Sequence, residues 1–220
     1  MKRLLLTITA ASLFLASCQD APKADSAEAS EAQEVSNVEG TEYTANTDQT
    51  VVEWIGTKPV GTHHGTVKVQ NGTLIVSGDQ LTGGSFVMDI KSLSSDDQND
   101  EYNAKLTGHL LSEDFFKAEE FPTGKFEITG VTAGVEQTED LVMKDATHMV
   151  TGNLTLKDVT KSITFPAKVV MGEGNIIADA NFNIDRTQFG MVYGNDESLG
   201  DKFIRPTVNL QVHLVAEHQM

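Results

Sequence analysis

Cysteine is all but missing from this 220-residue chain: Cys18 is the only one. No intramolecular disulfide can form, and the fold must rest on its core alone. Basic residues are scarce as well, 16 Lys and Arg against 32 Asp and Glu, for a formal net charge of −16. With no basic patch to neutralise phosphates, nucleic acid is not an expected partner; the acidity suits an exported domain that must stay soluble. Signatures of catalysis are missing too. Gly83-Gly84-Ser85-Phe86-Val87 lacks the last glycine of a nucleophile elbow, and no H-E-x-x-H occurs. His63 and His64 are adjacent, so on a strand they point to opposite faces and cannot share a metal, whereas a loop would allow it; metal binding is not the expectation. The acidic run Asp96 to Glu101 lacks the central glycine of a calcium loop, and Gly172-x-Gly174 lacks a third glycine and a following helix. The expectation is a protein that is not an enzyme and holds no metal.

Long apolar runs are confined to the start of the chain. Met1 to Cys18, MKRLLLTITAASLFLASC, has a basic head, an apolar run too short to span a bilayer, and small residues before its end. Residues 1–17 therefore read as an export signal. Leu15-Ala16-Ser17-Cys18 resembles the bacterial lipobox, which implies a Cys18 that is acylated and becomes the mature N-terminus. Several acyl chains on one residue exceed the marginal anchoring of a single chain, so stable attachment to a membrane is expected, in the periplasm or cell envelope. Residues 18–42 are rich in Ala, Ser, Asp and Glu. Such a segment buries too little surface to offset its ordering entropy, and it is read as a disordered acidic tether.

From Tyr43 onward, residues 43–217 read as one domain dense in short strands. TVVEWIG (50–56) leads to a Gly-His loop; GTVKVQ and TLIVSG flank Asn71-Gly72, the strongest hairpin signal in the chain. GSFVMDIKSL, FEITGV, THMVTGNLTL, SITFPAKVV and IIADANFNI follow, with turns at Lys157-Asp158 and Gly172 to Asn175. The last strand is the cleanest: Val208, Leu210, Val212 and Leu214 share one face, while Asn209, Gln211 and His213 face water. One stretch breaks the pattern. Tyr102, Leu106 and Leu110 recur at a four-residue step behind Asp100, which predicts a short helix before Phe115-Phe116 and Pro122. Tight turns at regular spacing favour an all-β closed antiparallel barrel or sandwich. A barrel of about eight strands can be filled or can hold one small ligand.

Three blocks in order, HLLSEDFFKAEEFPTGKF (109–126), VTGNLTLKDV (150–159) and FNIDRTQFGMVY (182–193), resemble the YceI-like family of exported lipid- and polyisoprenoid-binding proteins. The resemblance covers about Tyr43 to Ala216. It implies an extended lipocalin-like antiparallel β-barrel with one short helical insert, whose apolar tunnel holds a polyisoprenoid or fatty-chain lipid. This chain departs from the family pattern at Gly194 to Gly200 and at Phe203-Ile204-Arg205-Pro206, where the tunnel mouth is expected to differ.

On that reading the function is non-catalytic binding of a long apolar chain, and no cofactor is expected apart from the bound lipid. The lining candidates are Phe86, Met88, Ile90, Phe115, Phe116, Phe126, Ile128, Phe182, Ile184, Val208, Leu210 and Val212. Arg186 and Tyr193 are placed near the rim, where Arg186 either meets a polar head or holds a loop by capping carbonyls. The alternative from another class is a structural or partner-binding lipoprotein with a filled barrel.

Overall fold

The computed structural model describes residues 20–218. The expected export signal and Cys18 lie outside the described residues. Three short strands come first: β1 (Asp25–Ser26), β2 (Ser30–Glu31) and β3 (Thr41–Ala45). The barrel follows: β4 (Val51–Lys58), β5 (Gly61–Ser77), β6 (Gln80–Ser95), α1 (Asp100–Leu111), β7 (Thr123–Ala133), β8 (His148–Leu156), β9 (Val159–Met171), β10 (Asn175–Asp185) and β11 (Thr207–Glu217). Each of the long strands pairs antiparallel with its successor, and β11 returns to β4, so the sheet closes on itself. Closure removes the exposed edges that an open sheet would present.

Alternation in the sequence sets what points inward. Leu210 stands opposite both Trp54 and Phe182, Val212 opposite Val52 and Ala180, and Val208 opposite Gly56 and Ile184. A one-residue slip would turn this apolar row outward, so register is strongly specified here. One end of the barrel carries α1, the connection 186–206 and the β4–β5 turn; it is called the mouth below. The other end carries the connections 78–79, 134–147 and 172–174.

Four expectations are corrected. Asn71-Gly72 is not a turn: β5 runs straight through it, with Asn71 paired to Val87 and Gly72 to Phe86, and the hairpin turns at Gly78 instead. Gly72 is needed for space, because a Cβ there would stand 2.2 Å from the Phe86 ring. The expected Gly-His loop is strand, the turn falling at Pro59-Val60 and leaving His63 and His64 in β5. Asn209 does face away from the apolar interior, yet it is 0% exposed, its amide held by Asn181, Asn183 and the Phe182 carbonyl.

The fourth correction is the largest: among the described residues, 20–42 is no free tether. β9 and β10 pair only from Met171–Ile176 to Ala167–Ala180. Beyond that point the seam opens, and the N-terminal segment fills it: β1 pairs with β10 at Phe182 and Asn183, β2 with β9 at Ser162 and Lys161. Ala27 is buried in the core, and the Asp25 carboxylate accepts the backbone N–H groups of Val142 and Met143, each at 2.9 Å. Farther round the barrel, the Asn153 amide accepts the Gln33 N–H at 2.9 Å and donates to the Gln33 carbonyl at 2.7 Å. Composition underestimated this segment because its order comes from pairing with an unfilled seam, not from burying large apolar side chains.

Candidate functional site

The barrel interior is open in two adjoining chambers. The outer one, at the mouth, has a volume of about 400 Å³, and the inner one about 120 Å³. Val52, Met88, Leu154 and Leu210 border both and form the waist between them. Met88 brings a flexible thioether to that waist, a side chain able to move aside for a chain passing through. The outer volume alone falls within the roughly 300–1,000 Å³ usual for small-molecule pockets.

Every lining candidate borders one chamber or the other. Phe86, Phe126, Ile128, Phe182 and Val212 line the inner chamber; Ile90, Phe115, Phe116, Ile184, Arg186, Tyr193 and Val208 line the outer; Met88 and Leu210 line both. Met88, Phe126, Val208, Leu210 and Val212 point inward and are nevertheless only partly buried. The surface they retain faces empty space inside the barrel, whereas a close-packed core would leave none. Sequence reasoning missed Trp54, Leu154, Ile163 and Phe165 as lining residues, although each sits in an alternating run. Leu106 and Leu110 of the helical stripe also line the mouth chamber.

The mouth is built around Arg186, which is 3% exposed. Asp185 caps the short turn Arg186–Phe189 by accepting the Thr187 N–H, and Gly190, at φ 72°, ends it in the left-handed region that glycine adopts freely. The guanidinium donates to the carbonyls of Met191, Tyr193, Ile204 and Arg205, so two separate stretches of rim are folded over one charged group. Burial pushes this guanidinium down from its ordinary value, with Asp185 opposing; it stays charged. Of the two roles considered for Arg186, the geometry is that of holding the loop. Phe115 lies under it, 5.7 Å from ring centre to guanidinium carbon. His109 meets Phe115 and Tyr193 edge-on at 5.1 and 4.8 Å, closing an aromatic cluster at the helical side of the rim.

A second polar group braces the same end. His63 Nδ1 lies 2.9 Å from Asp97 and within reach of Gln98, while Ser95 donates to Asp97 at 2.8 Å. Burial pushes the Asp97 carboxyl up, but the hydrogen bonds from His63, Ser95 and the His64 backbone outweigh it and hold the group below its usual range. His64 pairs with Asp96 instead, so the adjacent histidines diverge to different carboxylates. No group of three or more potential metal ligands comes together among the described residues.

The comparisons with known proteins match this barrel as a family and a fold. The model of the YceI-like domain fits residues 43–216. The chain belongs to the YceI-like family. A UPF0312 protein of Pseudomonas paraeruginosa is 36% identical over 100 residues, covering 42% of this chain and 47% of the relative. The chain thus spans about half the length of the curated relatives it matches. BcnA of Burkholderia cenocepacia has the same fold, with a TM-score of 0.60 and 19% identity over 78% of this chain and 99% of its own. So does a polyisoprenoid binding domain from Saccharophagus degradans, with a TM-score of 0.56 and 13% identity over 80% and 98%. At such identities the likeness is one of fold. The YceI-like barrel here is the expected lipocalin-like architecture with its helical insert.

Proposed function

We propose that this YceI-like protein binds the apolar chain of a lipid, of the polyisoprenoid or fatty-chain class, in its two chambers, and that acylated Cys18 anchors it in the cell envelope. The observation that carries the first part is the partly exposed, inward-pointing row Val208, Leu210 and Val212, which borders the two open chambers. The Saccharophagus domain, described as polyisoprenoid binding, lends support through its fold. The open chambers weigh against a filled, purely structural barrel.

The mechanism is burial. Each methylene moved out of water gains about 0.8 kcal/mol, so a ten-carbon stretch gains roughly 8 kcal/mol before ordering costs are subtracted. Discrimination between chains of similar length is correspondingly weak, since one methylene more or less changes affinity by only about 0.8 kcal/mol, roughly fourfold. With the Arg186 donors committed to carbonyls, the tunnel selects by length and girth more than by head group.

A polarity-sensitive fluorescent fatty chain should bind the delipidated protein saturably and be displaced by a long isoprenoid alcohol. Failure of the probe to bind would refute the tunnel. For the anchor, Cys18→Ser is expected to release the chain from the membrane fraction, and undiminished retention would refute acylation as the means of attachment.

A further inference from the structure

The N-terminal segment does more than fill a seam: it fixes where an anchor must emerge. Asp20, the first described residue, lies with its carboxylate 3.0 Å from the Arg205 guanidinium, and Arg205 lines the mouth chamber. Two residues on, the Pro22 carbonyl accepts from Asn183, and β1 then enters the seam. Cys18 precedes Asp20 by two residues, which at about 3.6 Å per residue is a reach of roughly 7 Å. A free 25-residue tether would instead have wandered on the order of 28 Å and left the barrel any orientation.

The surface at that end suits contact with lipid. Val60 at the tip of the β4–β5 turn is 65% exposed, and Val192 and Leu199 in the rim connection are 55% and 45% exposed. Lys58 and Lys202 line the same mouth, and a lysine's long apolar stem suits a membrane interface. The opposite end is acidic as well, with Asp79, Glu136, Glu139, Asp140 and Glu173 beside Lys144, and its exposed large apolar side chains are Val170 and Met171.

From these we infer that the barrel stands mouth-down on the bilayer that holds the acyl chains of Cys18, with Val60, Val192 and Leu199 touching the lipid. The inference rests on the anchor in the proposed function. The tunnel then opens toward the membrane, and an apolar chain passes between bilayer and barrel without crossing water. The mouth end is itself acidic, with Asp100, Glu101 and Asp158 as well as Asp196, Glu197 and Asp201, so tether and apolar contact hold the surface down, not net charge, and anionic lipid is not required.

Hydrogen exchange tests this. The processed protein, isolated from cell envelopes with Cys18 as its N-terminus, is reconstituted on phosphatidylethanolamine–phosphatidylglycerol vesicles and, in parallel, on phosphatidylcholine vesicles. Wild type is compared with a Val60→Asp/Leu199→Asp variant, whose strand amides report that it is folded. In wild type on both lipids, peptides covering 55–66 and 190–204 should exchange several-fold more slowly than in the variant, while those covering 134–147 and 171–176 exchange alike in the two. Equal exchange at the mouth, protection at the opposite end, or failure of the chain to stay with the vesicles would each overturn the orientation. Mass analysis of the Cys18 peptide and of extracted lipid in the same samples separates the readings. An acylated, lipid-filled protein with an unprotected mouth would sink the orientation alone; an unacylated Cys18 would sink the anchor.

Discussion

Replacing Leu210 by alanine distinguishes an open tunnel from a packed core. The change removes three carbons, which at about 0.8 kcal/mol each would cost roughly 2.4 kcal/mol from a fully buried site, and a rigid core adds a cavity penalty that brings Leu→Ala to about 2–5 kcal/mol. Leu210 borders both chambers and keeps part of its surface open to them. About half the transfer cost is expected, near 1 kcal/mol, with little penalty for a cavity that already exists. Ile176→Ala is the internal control: Ile176 is 1% exposed and borders neither chamber, so it should show the full core cost of about 2–5 kcal/mol. Urea denaturation of the two delipidated variants measures both. At the waist, Leu210→Ala also joins the chambers, so the lipid that co-purifies should shift toward longer chains. A Leu210→Ala cost equal to that of Ile176→Ala, with an unchanged lipid profile, would refute the reasoning.

Arg186→Met leaves the Met191, Tyr193, Ile204 and Arg205 carbonyls without their donor; a loss of about 3–5 kcal/mol in urea melts is expected, and Arg186→Lys should recover only part of it because a single ammonium cannot span the fork. Asn153→Ala removes both bonds to the Gln33 backbone and should cost about 1–3 kcal/mol, with faster protease nicking in residues 20–42; an unchanged melting temperature would mean the segment is not held there. Because Asp97 titrates below its unfolded value near 3.9, its contribution is complete above that pH and is lost as pH falls through the folded value. Asp97→Asn should therefore be less stable than wild type at pH 7, with the gap closing below about pH 4, and a gap independent of pH would contradict the assignment.

What could be read from the sequence depended on whether the ordering partner was local. The row Val208, Leu210, Val212 reads correctly because period-two alternation reports the two faces of a strand directly, and α1 reads correctly from the step Tyr102, Leu106, Leu110. The helix starts at Asp100 and its cap is Asn99, one residue before the cap the sequence suggested at Asp100; the Asn99 side chain accepts the Tyr102 N–H. Asn71-Gly72 misled because its local turn preference yields to long-range pairing, where Gly72 makes room for the Phe86 ring. The segment 20–42 misled more deeply: Asp25, Ala27 and Gln33 find their partners at Val142, Asn183 and Asn153, more than a hundred residues away. Burial of Asn209 on the outer face was hidden for the same kind of reason, since its neighbours Asn181 and Asn183 lie on another strand. The lining itself was legible strand by strand, but the split into two chambers at Met88 and Leu210 depends on side chains meeting across the barrel.

The central claim is that the interior holds an apolar chain. Solvent extraction and mass analysis of the Cys18→Ser protein, which is released from the membrane and can be purified under native conditions without detergent, tests it most directly. A stoichiometric long-chain lipid or isoprenoid in the extract, depleted when Leu210→Trp closes the waist, is the result expected. An extract empty of apolar material, from a protein that also binds no added isoprenoid, would contradict it.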